Sequence, residues 1–168
     1  MLPDSVSRTA LGTAYLRAAH QIFETEPRVL DDPVALPLIG PNAECRIRKK
    51  ADHFQSPIMR ALRARTVLRS RYTEDRLYDA VRRGIAQYVI LGAGFDTFAL
   101  RQPRWAAQLG IFEVDSRATQ DEKRSRLTAA GFTVPSNTRY SRKLIGRNTA
   151  SQHGTKFSMR SMHSSPSL

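Results

Sequence analysis

The residues best suited to chemistry in this 168-residue chain are two glycines and one acid. Val89-Ile90-Leu91-Gly92-Ala93-Gly94 runs an apolar, β-branched stretch into a Gly-x-Gly turn, with Asp96-Thr97 just beyond. A strand ending in such a turn lets backbone approach a ligand where any Cβ would collide, and the free N–H groups of a following helix start add polarity. The third glycine of the dinucleotide fingerprint is absent. That glycine permits close helix packing beside a pyrophosphate, so its absence argues against a nicotinamide dinucleotide. The complementary feature is Ile111-Phe112-Glu113-Val114-Asp115. Asp115 lies 23 residues beyond Gly92, near the ~20 at which an acid on the second strand tip holds ribose hydroxyls. The competing role for Asp115 is to cap the helix that follows. Turn and acid together specify an adenosine-type ligand and leave the rest of it open.

The elements that must position these residues are legible from periodicity. Leu11, Ala14, Ala18 and Ile22 recur at helical spacing over residues 7–24, behind Ser7 as an N-cap. The prolines and glycine of Arg28–Asn42 predict an irregular connection. Ser56-Pro57 is a helix start, and the helical pattern continues to Arg83, with a break expected near Ser70–Thr73 and Gly84 as its left-handed stop. The period then changes. Residues 87–91 read as a buried strand, and helix-like residues after Thr97 end early at Pro103. A second strand over 110–114, a helix over 116–130 between Ser116 and Gly131, and a third strand beginning at 137–140 complete the pattern. Alternating strands and helices predict an α/β fold with a parallel, Rossmann-like sheet.

Composition sets the outer limits. No apolar run approaches the ~20 residues that span a bilayer, and the first residues lack the apolar core of a secretory signal, so a cytoplasmic location is expected. A lone Cys45 can form no internal disulfide, and no metal site is expected. His20, His53, His153 and His163 show no catalytic spacing with acids and read as surface or packing residues, so no catalytic residue is assigned. The formal net charge of +12 invites a nucleic-acid reading. Yet residues 1–138 hold 21 Lys/Arg against all 15 Asp/Glu, interleaved as on solvated helix faces, whereas residues 139–168 hold six basic groups and no acid. Residues 141–168, with seven serines and no sustained period, are expected to be a basic, disordered tail.

"QYVILGAGFDTFALR" followed by "FEVDSRATQDEKRSRL" resembles the leucine carboxyl methyltransferase and polyketide-synthesis methyltransferase family. These are class I S-adenosyl-L-methionine-dependent methyltransferases. "SRTALGTAYLRAAH", "DDPVA" and "RSRYTEDRL" extend the resemblance over about residues 5–140. It implies that Gly92 and the adjacent Gly94 contact the methionine part of S-adenosyl-L-methionine and that Asp115 binds its ribose. It also implies an arginine in the helix before the turn for the cofactor carboxylate, for which Arg69 is the better match and Arg71 the neighbour. A second basic contact near the N-terminus has Arg8 and Arg17 as possible counterparts. The implied activity is O-methylation of a carboxyl or hydroxyl group on a small molecule or peptide, with no membrane partner.

The resemblance stops where the family continues with an Asp-Phe or Asp-Leu pair after the third strand. Here the chain reads "NTRY" and then "SRKLIG". Residues 1–140 are therefore expected to be the N-terminal part of a methyltransferase domain, truncated or frameshifted after Tyr140, with impaired or no turnover. A divergent member with a shortened sheet is the alternative. A different class of function, a non-catalytic module whose basic tail engages nucleic acid or an acidic surface, also stays open. Acceptor and oligomeric state are not specified.

Overall fold

A computed structural model of the chain describes residues 6–141. The first helix, α1 (Arg8–Phe23), starts behind Ser7, whose side chain accepts the N–H of Ala10. Its Ala14 and Ala18 are buried, while Leu11 and Ile22 pack at the margin of the same core. The proline-rich connection is irregular as expected, apart from the single turn α2 (Ala35–Leu38). Two further short helices, α3 (Ala43–Lys49) and α4 (Ala51–Gln55), lead to the long α5 (Pro57–Arg82).

Helix α5 is continuous through Ser70–Thr73, where a break was expected. The hydroxyls of Ser70 and Thr73 donate to the carbonyls of Thr66 and Arg69, four residues back, so they follow the helix instead of competing with it. Pro57 sits at its first turn, but the Ser56 hydroxyl donates to the His53 carbonyl and does not cap α5. Gly84, at φ +92°, ends the helix as expected. Its N–H reaches Val81 O, and the N–H of Ile85 reaches Ala80 O, which satisfies two orphan carbonyls.

Three parallel strands follow in the order β1 (Gln87–Leu91), β2 (Gly110–Val114), β3 (Thr138–Ser141). Gln87 pairs with Gly110 and Leu91 with Val114; Ile111 pairs with Thr138 and Val114 with Ser141. The fold is thus α/β with a parallel sheet, as the alternation predicts. One strand departs from expectation. β1 is not buried, because it is an edge strand of the described sheet, and Val89 and Leu91 are 39% and 59% exposed. Tyr88 and Ile90, on its other face, pack on a second core with Leu77, Phe98, Leu109 and Ile111.

The segment after Thr97 forms only short 3-10 turns, Phe98–Leu100 and Arg104–Ala106, rather than an α-helix. Pro103 removes the N–H that a longer helix would need at that point. The last helix, α6 (Arg117–Ala129), is capped by the Ser116 side chain on Thr119 N–H and stopped by Gly131 at φ +79°. It is not solvated all round. Lys123 is 1% exposed and donates at 2.6 Å to the equally buried Glu113 of β2, whose pKa burial raises against the pull of Lys123. Ser141 closes β3, so the strand takes in the first residue of the predicted tail; residues 142–168 lie outside the described residues. No helix among the described residues is long and apolar enough to cross a membrane.

Candidate functional site

The sheet brings the two glycines and the acid to one end. Gly92 and Gly94 adopt φ +63° and +52°, a region other residues enter only at a cost. The N–H groups of Gly92 and Ala93 both reach Val114 O, at 2.8 and 3.1 Å, which folds the turn over the tip of β2. There Asp115 Oδ2 accepts the N–H of Gly94 at 2.6 Å, and Oδ1 accepts the N–H of Ser116 at 2.6 Å. The helix cap is Ser116, so the competing role for Asp115 is filled by its neighbour. Each carboxylate oxygen carries a further lone pair, and Asp115 remains half-buried at the rim of a cleft.

That cleft, of about 740 Å³, lies between the turn, α1 and α5. Its walls include the N-cap Ser7, Thr13 and Arg17 of α1, Thr66, Arg69 and Thr73 of α5, the run Tyr88–Asp96, and Asp115. Gly92 faces it openly: an added Cβ there would have no heavy atom within 4 Å. Gly94 has a different reason to lack a side chain. A Cβ there would lie 2.9 Å from the Cβ of Ala10, so this glycine lets α1 close on the turn. Close approach was expected of a ligand at both positions; at Gly94 it is made by a helix.

The two candidate arginines separate cleanly. Arg69 lines the cleft. Arg71 points away from it and pairs with Asp75, one helical turn on, at 2.8 Å. Of the two N-terminal candidates, Arg8 is exposed and Arg17 is buried against the turn. Arg17 donates to the carbonyl of Phe95 and lies 3.6 Å from Asp32 and 3.7 Å from Asp96.

Beneath the turn sits a network that sequence reasoning missed. Asp32 is fully buried and accepts the Thr97 hydroxyl at 2.6 Å. Arg101 donates to Thr97 Oγ1 at 3.1 Å and grips Glu74 of α5 through both oxygens, at 3.0 and 2.5 Å. Burial disfavours the Arg101 charge, but Glu74 and Asp32 together hold its pKa above the ordinary value. Tyr88, on the cleft wall, is pushed up to about 12 by burial, with Asp96 and Glu74 adding to it, and so keeps its phenolic proton. Its Asp32–Thr97 and Glu74–Arg101 links join residues 65 and 27 apart, which no local period reveals. The available signal is chemical: Asp32 interrupts the largely apolar Leu30–Leu38, and Arg101 directly follows the apolar Phe98–Leu100.

A glycine turn and an acid on adjacent parallel strand tips, facing an open cleft with Arg69 on its helical wall, form the arrangement in which open α/β sheets receive nucleosides. The chain belongs to the leucine carboxyl methyltransferase family, whose family model matches residues 10–149. It is 33% identical over 155 residues to the Bacillus subtilis protein named "Putative S-adenosyl-L-methionine-dependent methyltransferase YktD", covering 80% of this chain and 51% of that protein. Proteins of Parafrankia sp. and Mycobacterium marinum bearing the same functional name are 36% and 38% identical. Those matches cover 77% and 82% of this chain but 41% and 46% of the relatives. The chain therefore spans about half the length of the curated relatives it matches.

The residues present fit the family's cofactor. Gly92 leaves open the space a side chain would take, Asp115 retains acceptor capacity at the rim, and Arg69 supplies a cation across the cleft.

Proposed function

We propose that this chain carries the cofactor-binding half of an S-adenosyl-L-methionine-dependent O-methyltransferase acting in the cytoplasm on a carboxyl or hydroxyl oxygen. The observation that carries this reading is the meeting of the open Gly92 backbone and Asp115 at one mouth of the cleft. Asp115 would accept ribose hydroxyls on the lone pairs left by Gly94 and Ser116. Gly92 would line the methionine part, with Gly94 holding α1 beside it, and Arg69 would meet the carboxylate with a charge-assisted contact. The bound cofactor supplies an activated methyl on a sulfonium. What the protein must then do is hold the acceptor oxygen in line with it, which accelerates transfer by orientation without a nucleophilic side chain.

The portion of the domain read here is residues 1–140, followed by the basic serine-rich segment 141–168. The acceptor is a small molecule or peptide. The described cleft accounts for cofactor binding; whether transfer follows is what the assay reads. The test is incubation with methyl-labelled S-adenosyl-L-methionine and a panel of carboxylic acids and phenols. Alkali-labile product marks carboxyl methylation and alkali-stable product marks ether formation; rapid turnover by the full 168-residue chain would contradict the half-site reading.

A further inference from the structure

We propose that Asp96 takes the α-ammonium of the cofactor's amino-acid head, an inference that rests on the cofactor reading above. Three carboxylates line the cleft: Glu74, Asp96 and Asp115. Glu74 is committed, since the Arg101 guanidinium takes both of its oxygens. Asp115 accepts a backbone N–H on each oxygen and sits at the tip of β2, on the nucleoside side. Asp96 differs from both. Its Oδ1 accepts the N–H of Phe98 at 2.8 Å, which fixes the carboxylate plane. Its Oδ2 accepts no hydrogen bond among the described residues; the nearest cation, Arg17 Nη1, stands 3.7 Å away, beyond hydrogen-bond reach.

Charge balance points the same way. The network under the turn contains two guanidiniums, Arg17 and Arg101, and three carboxylates, Asp32, Glu74 and Asp96. Asp32 is wholly buried, whereas the Asp96 side chain is 25% exposed. The surplus negative charge thus resides on Asp96, the cleft-lining carboxylate of this network that no guanidinium grips. A partly buried carboxylate with an unfilled oxygen favours a cation that brings hydrogen-bond donors. No group of His, Cys, Asp or Glu among the described residues is arranged to hold a metal ion. An ammonium entering from the cleft supplies both the charge and the donor. Arg69, on the α5 wall, leaves the carboxylate of the same head a separate partner.

The experiment is calorimetric titration of the full chain and of Asp96→Asn with three ligands. S-adenosylhomocysteine carries ammonium and carboxylate, 5′-(3-aminopropylthio)-5′-deoxyadenosine carries only the amine, and 5′-methylthioadenosine carries neither. Asparagine keeps an oxygen for the Phe98 N–H and removes the charge. The first two ligands should weaken by about tenfold or more in Asp96→Asn, the scale of one charge-assisted hydrogen bond, and methylthioadenosine should be unchanged. Equal losses for all three ligands would show a structural role for Asp96 and overturn the proposal, as would no loss for any. Should the variant not fold, the unaltered chain still decides: the aminopropyl compound must bind about tenfold tighter than methylthioadenosine, and equal affinities overturn the assignment. A chain that binds none of the three instead overturns the cofactor reading beneath it.

Discussion

Gly94 and His20 show how single residues in this chain answer to packing as well as to a ligand. Gly94 combines a left-handed backbone with contact against Ala10. Gly94→Ala should cost about 1–2 kcal/mol from the backbone alone, plus the overlap with α1. Denaturant melts will show the total, and in an Ala10→Gly background the added cost should shrink toward the backbone part. His20 is buried on α1, its Nε2 has no hydrogen-bond partner among the described residues, and burial holds its pKa below the ordinary 6.5, with Arg63 and Arg28 opposing Glu24. A depressed histidine pKa means the unfolded chain takes up the proton first as pH falls. Its contribution is therefore present above pH 6.5 and lost as the pH drops through the folded value. Melting temperature should fall between neutral pH and pH about 5, a range that spans the unperturbed histidine value, and His20→Gln should flatten that slope. An unchanged slope would remove His20 from the account.

Among the elements, the turn after β1 is held by ion pairs more than by helix geometry. Arg101 ties it to α5 through Glu74 and to the 30s connection through Thr97 and Asp32. Arg101→Met leaves Glu74 without its partner and Asp32 with Arg17 and Thr97 alone, and should destabilise the chain by about 3 kcal/mol, the lower end for a broken buried pair. Adding Glu74→Gln should cost less than the sum of the single changes, since the two side chains share one interaction; strict additivity in chemical melts would contradict the network. Strands β1 and β2, the caps at Ser7 and Ser116, and the stops at Gly84 and Gly131 are written locally, in apolar runs and positive-φ glycines, and the structure has them at those residues. The long-range pairs are not, because Asp32, Glu74 and Arg101 resemble surface charges until the fold brings them together. Lys123 is the same case: beside Asp121, Glu122, Arg124 and Arg126 it reads as solvated, but α6 turns it onto Glu113. Spacing pairs Gly92 with Asp115, and the structure brings both to one cleft; the resemblance prefers Arg69 to Arg71, and of the two Arg69 lines that cleft.

At the scale of the whole molecule, the cleft is built from three contributions: α1 over the turn, α5 opposite, and the strand tips between them. Apart from the first residues of α1, all three lie within the span that the family model matches. The described part also leaves β1 at an edge with Val89 and Leu91 partly exposed, along the same cleft. The role proposed for this cleft is cofactor binding, which precedes any transfer to an acceptor. Binding is accordingly the central claim. Its most direct test is titration of S-adenosylhomocysteine into the full chain and into Asp115→Ala. The account predicts a saturable one-to-one isotherm, weakened in the variant by about 1–3 kcal/mol through lost ribose hydrogen bonds. No heat at millimolar ligand, or an affinity that Asp115→Ala leaves unchanged, would contradict it.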